Sequence, residues 1–254
     1  MINTYKESSL HKTLKELYAL NENAQTEVHS DGYIYDILTE KGNVIEIQTL
    51  TLGKLLPKIQ DALSKGRKCK IVHPVIVKKT IETYDKNGNL IKKTGSPKKE
   101  NEYTLLKDIT GISPLLLKKN FCLEVPFIKM TEKRIKTEKP EQSENGRRRF
   151  KKDWQKSDKK LNEIIETKTF SCKEDYTKLL PEGLPETFCA KDIATLLKND
   201  KTKPKNAYLH ANLIAWLFLR MDIFEQTEKK GRTKIYKIKN KDKSPENYGK
   251  FVKV

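Results

Sequence analysis

The stretch YIYDILTEKGNVIEIQ, residues 33–48, decides how the chain is read. Two aliphatic and aromatic runs flank TEKGN. Each run carries a carboxylate where a strand ordinarily buries hydrocarbon: Asp36 in the first, Glu46 in the second. Paired as an antiparallel hairpin with Leu38 opposite Val44, the runs leave a loop of residues 39–43. Paired positions in such a hairpin have a constant sum of residue numbers, so Asp36 falls opposite Glu46. Opposed side chains stand about 4.5–5.5 Å apart at Cβ on one face. Gln48, two residues after Glu46, joins that face. Two carboxylates held so close repel unless one is protonated or a cation lies between them. Carboxylate oxygens suit Mg²⁺, which takes only one or two protein carboxylates and keeps several waters. The stretch therefore predicts a cation site built on two adjacent strands.

Upstream, ESSLHKTLKELYAL (residues 7–20) has Leu10, Leu14 and Leu17 at helical spacing. Glu7 extends that stripe and is a candidate third metal ligand, with His11 one turn later; a place at the solvent edge is the plain alternative for both. Downstream, Leu52, Leu55, Leu56, Ile59 and Leu63 predict a helix over about 52–64, with Pro57 in its first turn. KIVHPVIV (70–77) reads as a third strand, and Asn87-Gly88 as a hairpin turn. Helix, hairpin, helix, strand makes an α/β unit with a mixed sheet.

The 254-residue chain is 36% hydrophobic and 34% charged, with a formal net charge of +18. Such a balance favours an acidic partner, of which nucleic acid is the commonest and an anionic membrane surface the other. No stretch approaches the ~20 apolar residues of a membrane span, and MINTYKESSL lacks a signal-peptide core. Four scattered cysteines without a CxxC pair argue against disulfides and zinc. The expectation is a cytoplasmic protein without a membrane partner.

Residues 129–170 change composition. Between 129 and 160 lie 13 Lys/Arg and six acidic residues, including GRRRFKKDW at 146–154. This reads as a basic linker or exposed helical segment. Phe150 and Trp154 among Arg147, Arg148 and Arg149 point to DNA contact, because aromatic rings stack on bases.

Residues 171–240 run as helix, short extended piece at Phe188-Cys189, helix, longer helix over 206–220, and two strands about a Lys-Lys-Gly-Arg turn. That order resembles a winged-helix domain. The resemblance makes the longer helix the recognition helix, entering the major groove with Lys203, Lys205, Asn206 and His210. Lys229, Lys230, Arg232 and Lys234 then serve a phosphate-contacting wing. Trp216 and Leu217 are assigned to the core. Winged helices also bind proteins, which is the alternative. Residues 241–254 read as a polar tail.

Asp36 on one hairpin strand and Glu46-Ile47-Gln48 on the next resemble the PD-(D/E)XK nuclease superfamily, whose pattern is an acid, then an acid-x-Lys about ten residues later. The resemblance covers residues 1–128 and implies a restriction-endonuclease-like α-β-β-β-α-β core. It also implies metal-dependent hydrolysis of DNA phosphodiesters with Mg²⁺, or Mn²⁺ in its place. Asp36 and Glu46 would be metal ligands, with Glu7 as the helical Glu. Tyr35 stands where the pattern has Pro, and Gln48 where it has Lys. Lys58 is the candidate replacement for that ammonium, with Lys70 as second choice. Restriction or defence is the setting this implies, and double-strand cutting would favour a homodimer. A DNA-binding regulator or repair accessory with an inactive nuclease fold is the alternative, and a Holliday-junction-type resolvase another. SLHKTLKELY (9–18), EIQT (46–49), LLPKI (55–59) and LLPEGLPETF (179–188) also resemble bacterial proteins of unassigned function.

Overall fold

The computed structural model describes residues 7–199 and 206–239. Helix α1 (Ser9–Asn21) starts at Ser8, whose hydroxyl accepts from His11 N–H. Ser, with its short oxygen, is a preferred cap residue. Three antiparallel strands follow: β1 (Gln25–Ser30), β2 (Tyr33–Leu38) and β3 (Val44–Ile47). A 3₁₀ turn (Leu52–Leu55) leads into α2 (Leu56–Ser64), with Pro57 in its first turn. Strand β4 (Cys69–Val72) then lies parallel to β3.

The strand read as one piece over 70–77 is two. After β4 the chain breaks at His73-Pro74 and resumes as β5 (Val75–Tyr84). Proline has no N–H to give the ladder. Both pieces run parallel to β7 (Phe121–Glu141), β4 against residues 121–124 and β5 against 127–135. Strand β6 (Leu90–Gly95) closes the Asn87-Gly88 hairpin on β5. Helix α3 (Glu102–Ile109), capped by Asn101, and a 3₁₀ turn (Thr110–Ile112) lie between β6 and β7.

The reading of 129–170 as a linker or helix is corrected. Those residues form most of β7 and all of β8 (Lys152–Phe170), paired antiparallel along most of their length. At about 3.3 Å per residue, 21 residues make a ribbon roughly 60–70 Å long. Strand pairing on both edges of β7 orders this polar chain, where apolar periodicity gave no signal. The sheet has eight strands in the order β1-β2-β3-β4-β7-β5-β6, with β8 on β7.

Alternation along the strands feeds two cores. Ile37, Ile45, Ile47, Val72, Ile128 and Met130 pack beneath Leu10, Leu14 and Tyr18 of α1. Val44, Cys69, Ile71 and Leu123 face the other way, towards α2 and α3. That second core continues into the C-terminal elements α4 (Lys173–Thr177), α5 (Ala190–Asn199), α6 (Ala207–Arg220) and the hairpin β9 (Phe224–Lys230)–β10 (Thr233–Ile238). Tyr103 donates to Leu179 O at 3.1 Å, and Tyr176 to Leu116 O at 3.4 Å. Phe188 pairs with Tyr236 as an isolated antiparallel bridge, so the order is helix, bridge, helix, helix, hairpin. Among the described residues no helix is long and apolar enough to cross a membrane. The tail read at 241–254 lies outside the described residues.

The two 3₁₀ turns touch backbone to backbone at Gly53 and Gly111. A Cβ on Gly111 would meet Gly53 Cα at 2.9 Å, whereas one on Gly53 would find its nearest neighbour at 3.6 Å. Gly111→Ala is therefore expected to destabilise by about 1–3 kcal/mol, the usual cost of overpacking, and Gly53→Ala by much less. Paired urea titrations check the asymmetry.

Candidate active site

Strands β2 and β3 pair at Leu38–Val44 and Ile37–Ile45, and the next position in this register sets Asp36 against Glu46. The backbone ladder opens there and the two carboxylates enter it. Asp36 N–H donates to Glu46 Oε1 at 3.2 Å, and Ile47 N–H donates to Asp36 Oδ2 at 2.8 Å. Each acid thus accepts a hydrogen bond from the opposite strand. The 39–43 loop before them is closed by Gly42 N–H on Thr39 O and by Asn43 N–H on the Thr39 hydroxyl.

Glu46 is only 2% exposed. It lies between Ile45 and Ile47 of the α1-side core and so faces α2. Lys58 comes from that helix. Ile59 beside it is fully buried, and the Lys58 side chain itself is only 14% exposed. Lys58 Nζ stands 2.5 Å from Glu46 Oε1, donates to Ile34 O, and lies 5.0 Å from the Tyr35 ring centroid. Lys70, the second choice, is elsewhere: its ammonium meets Glu124 at 3.2 Å and Glu22 at 3.7 Å.

Burial pushes the Glu46 carboxyl up to about 7, with the Asp36 charge adding to it and Lys58 opposing. Burial also opposes ionisation of Asp36. There His11, the Ile47 N–H and Lys58 overcome it and hold the carboxyl below its ordinary range. The pair is split into a stronger and a weaker acid, the pattern expected when two carboxylates share a site.

Glu7 is not a third member of the pair. It precedes the Ser8 cap and binds Lys15 Nζ at 2.8 Å, and Lys15 also holds Glu27 at 2.7 Å. His11 Nε2 stands between Glu7 and Asp36, 3.5 Å from a carboxylate oxygen of each. Gln48 does not join either. Its side chain turns back to accept from Leu50 N–H at 3.2 Å, because β3 ends at Ile47 and alternation ends with it. Among the described residues no group of three or more His, Cys, Asp or Glu side chains is arranged to hold a metal ion. Two carboxylates remain, a number that suits Mg²⁺. Glu46 is buried and opposed by the Asp36 charge, as a carboxylate awaiting a cation would be, and the cation beside it in the structure is the Lys58 ammonium.

Of the residues assigned to DNA, Arg147 and Arg149 are exposed in the β7–β8 loop. Arg148 lies 4.1 Å from the Trp154 ring centroid and bonds Trp154 O. Lys229, Lys230, Arg232 and Lys234 are exposed on the β9–β10 hairpin. Asn206 precedes α6 and is exposed, while Lys203 and Lys205 lie outside the described residues. His210 is corrected to a core residue. It is 6% exposed, shares the inward face of α6 with Ala207, Ala211 and Ile214, and sets its ring against Tyr103. Trp216 is corrected in the other direction: Leu217 is buried, but Trp216 is 41% exposed beside Arg220. Sequence reasoning missed the cluster around Glu132 on the ribbon, because the surrounding charges read as a solvated run.

Residues 8–171 match the family described as "Domain of unknown function (DUF8091)". An "Uncharacterized protein" of Treponema pallidum (strain Nichols) is 27% identical over 236 residues, covering 93% of this chain and 87% of that protein. No solved structure gives a significant match.

Proposed function

The chain belongs to the DUF8091 family, and we propose that it is a metal-dependent DNA endonuclease hydrolysing phosphodiester bonds. The observation that carries this reading is the meeting of Asp36 and Glu46 on adjacent strands with Lys58 at 2.5 Å from Glu46. The order α1-β1-β2-β3-α2-β4 supports a restriction-endonuclease-like core around them. Asp36 and Glu46 would hold Mg²⁺ or Mn²⁺, which when bound polarises a phosphoryl oxygen and lowers the pKa of a coordinated water. Glu46 has to be ionised for that role, and Lys58 already favours its charged form. Released from Glu46, the Lys58 ammonium is within reach to orient the attacking water and offset developing charge. Gln48 would take part only after leaving Leu50 N–H.

The C-terminal elements support a winged helix in order and in the basic β9–β10 wing. The outward face of α6 carries Tyr208, Leu209, Asn212 and Trp216. That apolar character favours protein contact by α6, with DNA contact left to the wing. Restriction or defence is the setting proposed.

A second reading has its own observation. Lys58 already neutralises Glu46, as it would in a DNA-binding regulator or repair accessory that never cuts. Two measurements separate the readings. Linear, supercoiled, methylated and branched DNA are incubated with the full chain in Mg²⁺ and in Mn²⁺, beside Asp36→Ala and Glu46→Ala. Cutting lost in both variants supports the nuclease, and preference for branched DNA selects a resolvase. Cutting that survives both removes the assignment. Calorimetric Mg²⁺ or Mn²⁺ binding, abolished by Glu46→Ala, is expected of the nuclease; absence of both binding and cutting leaves the accessory.

A further inference from the structure

We propose that Lys79, Arg134, Lys156 and Lys159, gathered around Glu132 where β5, β7 and β8 run together, form a phosphate-gripping site that holds the backbone of a nucleic acid. The site shares its partner with the nuclease reading but requires no cutting.

The charges do not balance within the cluster. Glu132 is 2% exposed, and Arg134 alone satisfies its Oε1, through Nη2 at 2.6 Å and Nε at 2.7 Å. Lys79 and Lys156 crowd the other oxygen, each at 3.4 Å. Lys159 pairs with Glu132 in the β7–β8 register and is half-buried, yet makes no ion pair among the described residues. Burial and the Lys156 and Lys79 charges push its ammonium down, against the pull of Glu132 and Glu100. Neighbouring acids are committed elsewhere. Glu100 accepts from Ile76 N–H and Lys98, and Asp158 from the N–H and hydroxyl of Ser9. Three cations therefore share one carboxylate, and a fourth stands opposite it in the register without an ion pair among the described residues.

Like charges placed together at a half-buried position are costly, and the arrangement gains when an anion arrives. Backbone phosphates suit it, since Arg offers a rigid fork and Lys a compact ammonium. The fork is held in place: the Arg134 guanidinium lies 3.6 Å from the Trp154 ring centroid. Arg148 on the same ring carries the positive line towards Arg147 and Arg149 in the loop. Past Ile135 the β7–β8 pair runs on alone towards that loop, and a two-stranded ribbon is narrow enough to enter a DNA major groove.

The test uses the full chain in EDTA, where no cutting occurs, with a labelled duplex and fluorescence anisotropy over a range of NaCl. Lys156→Gln and Lys159→Met are each expected to lower the slope of log K against log [NaCl] by about one. Each is expected to weaken binding about eightfold at 0.1 M salt, from the ~0.9 slope per phosphate. Lys159→Met is also expected to raise Tm, because it removes an ammonium that like charges oppose; a residue needed for folding would lower it. Wild-type binding by both variants, a fall in Tm for Lys159→Met, or binding confined to anionic phosphatidylserine vesicles overturns the proposal. Glu46→Ala should bind the duplex as wild type does. A chain that never cuts but loses duplex affinity in the two lysine variants keeps this site and loses the nuclease. One that cuts while those variants bind normally does the reverse.

Discussion

Lys58→Met is expected to cost about 3–5 kcal/mol of stability at pH 8, the range for removing one partner of a buried ion pair, and far less at pH 5. The pH dependence follows from Glu46. Its folded carboxyl lies at about 7, above the ordinary 4.5. Relative to the unfolded chain, its contribution is fully present below 4.5 and is lost as pH rises through about 7. That contribution is on the order of 3 kcal/mol, from 1.36 kcal/mol per unit. Asp36 has the opposite sign. Its depressed carboxyl contributes stability above 3.8 that is lost as pH falls through its folded value. Without Lys58, Glu46 is pushed higher still, so the variant's deficit opens as pH rises and closes once Glu46 takes a proton. Glu46→Gln should remove the Glu46-linked loss of stability with rising pH and make Lys58→Met nearly silent. Thermal melts of wild type, both single variants and the double variant from pH 5 to 8 measure this. A Lys58→Met deficit that is constant across the range would show that Glu46 is not its cause. If the nuclease reading holds, the same variant should also cut about 10²–10³-fold more slowly, the usual loss when one stabilising donor is removed.

The site was legible because its chemistry is written at short range. A strand period of two and a loop between Leu38 and Val44 place Asp36 against Glu46, and the structure has that register. Lys58 was reachable from Pro57, which marks a helix start. Gln48 was misjudged because alternation was carried one residue beyond the end of β3. Strand β1 was missed although Asp31-Gly32, both at positive φ, is a strong hairpin turn. Its sequence QTEVHS is mostly exposed, so no apolar alternation marks it. The β7–β8 ribbon was missed for a related reason. Past Met130 its residues are held by edge pairing and ion pairs such as Arg134–Glu132, rather than by an apolar face. His210 and Trp216 were exchanged between core and surface because the inward face of α6 is set by its packing on α5 and α3. Helix periodicity alone cannot fix that rotation when the helix is apolar nearly all round.

Tyr176→Ala is expected to destabilise the whole chain by about 3–5 kcal/mol, the range for losing a buried aromatic ring. Tyr176 is fully buried, its ring lies 5.2 Å from that of Phe170 at the end of β8, and its hydroxyl bonds Leu116 O. Burial drives its phenol well above the usual range, so the hydroxyl stays protonated and keeps donating. Tyr103, from the family-matched segment, reaches Leu179 and His210 in return. Together these contacts join the sheet and the C-terminal helices into one core, even though the family match ends at residue 171. A shared core predicts a single cooperative transition. The chain has two tryptophans, Trp154 on the ribbon and Trp216 on α6. Trp216→Phe and Trp154→Phe therefore leave one reporter in each part. Both reporters should unfold at the same urea concentration, and Tyr176→Ala should move both midpoints together. Two separate midpoints, with only the Trp216 transition shifted, would make the C-terminal elements an independent domain. By the same packing, a fragment ending at residue 171 leaves Tyr103, Leu116 and Phe170 without their cover and should bind a hydrophobic dye that the full chain does not.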